Sequence, residues 1–348
     1  METETIETGL DVHKAAKDIL ATIEKERERE IMARRFGLYD RKETLEQIGE
    51  LLGITRERVR QLEKATLTKM KASAAQLPHM DKIEEVLTAE LEKLGRAAPV
   101  KTLAKHVLDQ PKREDNSHIA FLSELAPNLN LVSENDDFYQ SVTIAAYHPV
   151  KELKATVAQL VKDIKKHGKP LDAKELHTKL SGLDKPENAT AVASVSKHLT
   201  SLKGQWGHIR WPLVNPKNIR DKIYVILQEN GKSMHFNEIS EAIKESDFKR
   251  KDVTTQAIHN ELIKDKRFVL IGRGIYALQE WGYSKGTVAD VVADVLTEAG
   301  EPLHRDEIVK RVLKDRHVKE TTILLNLQSK PQFVRTAKAT YTFDKTKV

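Results

Sequence analysis

Four glycines, Gly95, Gly168, Gly231 and Gly300, stand in one apolar frame. Eight residues upstream of them are Leu87, Leu160, Ile223 and Val292, and four upstream are Leu91, Ile164, Leu227 and Leu296. Three downstream come Ala98, Leu171, Met234 and Leu303; eight downstream, Leu103, Leu176, Ile239 and Ile308; twelve downstream, Val107, Leu180, Ile243 and Val312. The interval of 63 to 73 residues is that of a domain, too long for a solenoid repeat. An i, i+4 apolar pair predicts a helix, and the glycine ends it in a left-handed conformation that costs other residues energy. A buried connector and a second helix with its own i, i+4 pair then follow.

Three copies share a longer ending. Phe121, Ile258 and Ile323 are followed four residues on by Leu125, Leu262 and Leu327, then by Leu131, Phe268 and Phe333, then by Tyr139, Tyr276 and Tyr341. A third helix and two short strands around a turn suit this spacing, as in Phe268–Tyr276. Three helices and a hairpin make a winged helix. In the second copy, Trp206 to Pro212 keeps aromatics but loses the spacing, which leaves its wing in doubt.

A different pattern precedes the repeats. Thr44-Leu45-Glu46-Gln47 reads as a capping box, with Leu45, Ile48 and Leu52 as the buried stripe of a short helix and Gly53 as its end. Thr55 then caps a second helix that turns Val59, Leu62 and Thr66 inward. Arg56, Glu57, Arg60, Gln61 and Lys64 fall on another face. Arginine pairs bidentately with guanine, glutamine with adenine, and glutamate accepts from cytosine. Two short helices so joined form a helix-turn-helix.

Phe36-Gly37-Leu38, Thr44–Gly49 and Ile54–Glu63 together resemble the fourth conserved region of primary bacterial sigma factors, over roughly residues 24–71. The resemblance implies binding to a promoter −35 element on double-stranded DNA and docking on the β flap of RNA polymerase core. It implies that Arg56, Glu57, Arg60 and Gln61 face bases. Arg27, Arg35 and Lys64 would meet phosphates, as would Leu45 and Glu46 through backbone N–H groups at a helix start. A complete sigma factor carries aromatic residues ahead of this region that trap melted DNA. The residues ahead of it here have none, so no promoter melting is expected. The third copy of the repeat resembles the HARE-type helix-turn-helix, found in the δ subunit of RNA polymerase, and the fourth does so less closely.

The expected fold is mainly α: a sigma-region-4-like helix-turn-helix followed by four tandem winged-helix units with short β-hairpins. The expected boundaries are an acidic segment 1–23, the helix-turn-helix 24–77, and winged units 78–148, 149–214, 215–283 and 284–348. Net charge is +6 overall but −5 over 78–148 and +6 over 149–214. Acidity points the first unit towards protein contact. The second is a candidate for nucleic acid, through Lys165 and Lys166 within a cluster that includes Lys162 and Lys169. Lys251, ahead of a third helix bearing Thr255, Gln256 and His259, and Arg273 at a wing tip are further possible DNA contacts.

Chemistry of other kinds finds little support. Zero cysteines exclude thiolate metal sites and disulfides. The 13 histidines form no zincin pattern, and no phosphate-binding Gly-x-x-x-x-Gly-Lys-Ser/Thr loop is present. Asp306-Glu307-x-x-Lys310 falls on the second helix of a repeat, so a nuclease is not expected. No catalytic residue, metal, cofactor, small-molecule substrate or membrane contact is expected, and a cytoplasmic location is. The expected function is that of a sequence-specific transcription factor associated with RNA polymerase. The alternatives are a sigma mimic that binds polymerase without reading sequence, an architectural protein that coats DNA, and an accessory subunit of a restriction or modification system.

Overall fold

The computed structural model describes residues 9–180, 183–248, 250, 252–283 and 286–347. The chain divides into two compact units, one ending at Ile209 and the other beginning at Arg210.

The first unit begins with Val12–Ala21 (α1), Glu26–Phe36 (α2), Leu45–Leu52 (α3) and Arg56–Ala72 (α4). The first repeat follows as Met80–Lys93 (α5), Ala97–Pro99 (β1), Val100–Val107 (α6), Asp115–Leu125 (α7), Leu129–Val132 (β2) and Ser141–Ile144 (β3). The second consists of Val150–His167 (α8), Ala173–Thr178 (α9), Pro186–Ser194 (α10), Leu199–Leu202 (β4) and Gln205–His208 (β5). In the second unit, the third repeat is Ile219–Asn230 (α11), Met234–His235 (β6), Phe236–Glu245 (α12), Thr255–Lys264 (α13), Phe268–Gly272 (β7) and Ile275–Leu278 (β8). The fourth is Val288–Ala299 (α14), Leu303–His304 (β9), Arg305–Asp315 (α15), Glu320–Ser329 (α16), Phe333–Ala337 (β10) and Thr340–Phe343 (β11).

All four anchor glycines have positive φ, from 65° at Gly300 to 87° at Gly95. The repeat pattern therefore marks helix ends. Gly95 is constrained twice over, because a Cβ there would lie 2.5 Å from the Glu187 carbonyl oxygen of the second repeat. In repeats one, three and four the connector strand joins the hairpin as the third strand of a small antiparallel sheet, ordered β1-β3-β2, β6-β8-β7 and β9-β11-β10.

Two details differ from the sequence expectation. The second repeat does have a hairpin: β4 and β5 pair across Lys203-Gly204, both with positive φ, and Leu171 bridges to Trp206. A two-residue turn of this kind needs no long spacing, so the expected interval is absent while the wing remains. In the first repeat, Tyr139 stands ahead of β3 and is partly exposed, and Val142 takes the buried place opposite Leu131. Tyr276 and Tyr341 are buried in β8 and β11 as expected.

One core runs through α1, α2, the end of α4 and the first repeat. Ala15, Ala16 and Ile19 of α1 pack with Met32 of α2, Met70 of α4, Leu87 of α5 and Phe121 of α7. Phe36 meets Phe121 edge-on with ring centroids 5.1 Å apart. His13 of α1 is 2.5 Å from the Asp115 carboxylate, and Lys71 of α4 pairs with Glu124. The helix-turn-helix and the first repeat are thus welded by apolar burial, with α1 as part of the weld.

Packing also decides which third helices are free. Helix α7 is buried on most of its surface, and α10 packs on β1 with Ala189, Ala191 and Val192 inside. Helices α13 and α16 keep exposed faces, yet α16 carries no basic residue and α13 only Lys264, in its last turn. No helix among the described residues is long and apolar enough to cross a membrane.

Candidate nucleic-acid interface

Thr44 begins α3 with extended backbone, and its hydroxyl accepts from the Gln47 N–H at 3.3 Å. The Gln47 side-chain oxygen in turn accepts from the Thr44 N–H at 2.9 Å, which completes the capping box. The N–H groups of Leu45 and Glu46 are left without an intrahelical acceptor, as the first N–H groups of any helix are. Gly53 ends α3 at φ 65°, and Thr55 caps α4 by accepting from the Arg58 N–H at 3.2 Å. Ile31, Ile48 and Val59 form a small core beneath this turn, flanked by Leu45, Leu52, Ile54 and Leu62. Helix α4 is rooted in two cores, since Leu67 and Met70 enter the larger one.

The outer face of α4 carries Arg56, Glu57, Arg58, Arg60, Gln61 and Lys64, with the charged side chains exposed. The Arg56 side chain is 68% accessible and pairs with Glu46 of α3 at 2.7 Å. Arg60, 54% accessible, pairs with Glu57 at 2.6 Å, and the Gln61 amide also donates to Glu57. The Arg60 hydrogen bonds hold the Glu57 carboxyl below the usual carboxylate range, helped by the charges of Arg60 and Arg56 and by the Gln61 hydrogen bond. Such solvent-exposed pairs are weak, so they orient the side chains without locking them away from a ligand. Lys64 has no ion-pair partner among the described residues.

The other residues named from sequence are placed differently. Arg27 donates to the Leu52 carbonyl at the end of α3. Arg35 is 28% accessible, and its guanidinium is held by Glu63 at 3.0 Å and by the Glu43 carbonyl at 2.8 Å. Both arginines tie α2 to its neighbours. Lys165 and Lys166 are exposed in the last turn of α8. Arg273 is exposed at the turn between β7 and β8 in the second unit, while Lys251 lies outside the described residues. The β7 edge beside Arg273 is occupied: the Ile271 carbonyl accepts from the His317 N–H at 3.0 Å, and Arg316 donates to the Leu270 and Gly286 carbonyls.

Two contributors were not singled out from sequence. Arg58 lies on the same outer face and donates to the Gln61 side chain at 3.4 Å, a relation its i, i+3 spacing made readable. Gly49 is buried where α3 passes the turn, and a Cβ there would lie 2.7 Å from the Ile54 carbonyl oxygen. Its need for glycine depends on a contact five residues away and has no local signal. Among the described residues, no group of three or more acidic or histidine side chains is placed to hold a metal ion.

The family model of sigma-70, region 4, matches residues 25–72. Residues 25–72 form a sigma region 4-like helix-turn-helix. The RNA polymerase sigma factor SigA of a Bacillus species is 46% identical to this chain over 56 residues. That alignment covers 16% of this chain and 15% of SigA.

Proposed function

We propose that this protein is a DNA-binding transcription regulator that works with RNA polymerase, and that α4 reads a −35-like promoter element. The observation that carries the proposal is the outer face of α4. Two ion-paired arginines, a glutamine and a lysine stand there, on a helix whose inner side is anchored in two cores. In this reading Arg56, Arg60 and Gln61 contact base edges and Glu57 accepts from cytosine. Arg58 and Lys64, together with the N–H groups of Leu45 and Glu46, take phosphates. In this reading Arg27 and Arg35 chiefly tie α2 to the fold, because each donates to a backbone carbonyl of a neighbouring segment, whereas Arg56 and Arg60 pair only with exposed carboxylates.

The third helices of the repeats favour α4 as the base reader. Those of the first two repeats are packed against neighbouring elements, and those of the last two are poor in positive charge. Polymerase binding, with the β flap as the surface the resemblance implies, belongs to the same proposal.

Selection of bound sequences from random duplexes, with and without core RNA polymerase, tests it. The expected result is a short −35-like motif that the Arg60→Ala variant no longer enriches. Equal loss of affinity on all sequences would make Arg60 a phosphate contact. Absence of enrichment in both conditions would overturn base reading.

A further inference from the structure

The end of α8 carries a dense cluster of positive charge that the proposed reading leaves unused. Lys162, Lys165, Lys166 and Lys169 cluster there, and none has an ion-pair partner among the described residues. Among them on the helix, the Asp163 carboxylate accepts from the Gln159 amide at 3.0 Å. The inward side of α8 is the stripe Val157, Leu160 and Ile164. At 100° per residue, Lys162 and Lys166 fall opposite that stripe, on the outer crest of the helix.

Helix geometry does not call for this much charge. The C-terminal end of a helix carries about half a negative charge, which one lysine offsets. Like charges at i, i+4, as at Lys162 and Lys166, cost about 0.2–0.5 kcal/mol.

The other repeats serve as an internal control. Counted from the anchor glycine, the four equivalent positions are Ala89, Glu92, Lys93 and Arg96 in the first repeat and Val225, Gln228, Glu229 and Lys232 in the third. In the fourth they are Asp294, Thr297, Glu298 and Glu301. Formal charge at these positions is +4 in the second repeat against +1, 0 and −3 in the others. The same helix end therefore forms three times without this concentration of lysine.

The geometry points to the end of α8 as a phosphate-binding surface that grips the backbone of duplex DNA. It works without base reading, which matches the burial of α10, the helix that a winged unit would otherwise offer to a groove. The grip adds affinity and salt sensitivity to whatever sequence α4 selects, and it does not require α4 to select any.

The test is a salt titration of binding by the intact chain to a duplex that lacks any enriched site. Replacing all four lysines by glutamine is expected to flatten the log–log salt dependence by about 3–4, at ~0.9 for each phosphate no longer neutralised. Between about 50 and 200 mM salt the variant then loses about a hundredfold less affinity than the parent chain. If the fourfold variant melts early, Lys165→Gln with Lys166→Glu reproduces what the third repeat carries at these positions and is expected to flatten the slope by about 2. An unchanged slope in a folded variant overturns the proposal, as does a change seen on single-stranded but not duplex DNA. Arg60→Ala separates this from the base-reading proposal: it removes sequence preference if that reading holds, and changes the slope on the unrelated duplex by no more than about 1.

Discussion

Alanine at position 49 sets two effects of opposite sign against each other. In a helix interior, Gly→Ala gains roughly 0.5–1 kcal/mol, because glycine loses more freedom on folding. Against this, the new Cβ would stand 2.7 Å from the Ile54 carbonyl oxygen and 3.4 Å from the Arg56 nitrogen. Both are backbone atoms of the turn that aims α4, so neither can swing aside as a side chain would. Overpacking of this kind costs about 1–3 kcal/mol. The clash outweighs the propensity gain, leaving a net destabilisation of about 1 kcal/mol in a subcore whose fully buried members are Ile31, Ile48 and Val59. Because the strain moves the start of α4, duplex affinity should fall by more than the loss of stability. Urea unfolding followed by circular dichroism, alongside anisotropy titration with a selected duplex, measures both. Gly53→Ala is the comparison: nothing lies within 4 Å of a Cβ there, and only the left-handed φ of 65° opposes it. A Gly49→Ala protein that is more stable than the parent and binds DNA equally well would refute the reasoning.

Arg60→Ala should weaken binding to the preferred duplex by about 1–3 kcal/mol and relax preference at one base pair, as read by competition with single-base variants. Burial lowers the pKa of His118 below the ordinary 6.5, and His13, with its ring centroid 4.0 Å away, lowers it further, against the opposing Glu114 and Asp115. The unfolded chain then binds more protons than the folded one below pH 6.5, so this contribution to stability is present at neutral pH and is lost as pH falls through and below that value. The urea midpoint of the first unit should drop between about pH 7.5 and 5.5, and His118→Gln should remove that part of the drop. In the second unit, Arg316→Met leaves the Leu270 and Gly286 carbonyls without their donor, at about 0.5–1.5 kcal/mol for each hydrogen bond lost, and should lower the thermal midpoint. An unchanged midpoint would show that water replaces the guanidinium.

Local features were legible in the residues because the forces that set them act within a few positions. The capping box at Thr44, the cap at Thr55, the left-handed Gly53 and the four anchor glycines are consequences of backbone N–H groups and φ angles within one turn. The same holds for the face of α4, since i, i+4 spacing lines up Arg56, Arg60 and Lys64 outside the buried side that Val59 and Thr66 mark. What charged side chains do there was not legible. Arg35 fits a phosphate contact by position, and only the folded chain shows that Glu63, 28 residues away, pairs with its guanidinium.

By itself the sequence determined the helix-turn-helix, the helix ends marked by caps and glycines, three of the four hairpins, and the helix that offers arginine and glutamine outward. Tertiary structure decided which surfaces remain available. It drew α1 into the core of the first repeat through contacts such as His13 with Asp115, 102 residues apart. It also buried α7 and α10, the helices that a winged unit would present to a groove. Those outcomes depend on the summed apolar area of distant segments, which no local spacing encodes, and α4 kept its outer face because its inner face alone is apolar.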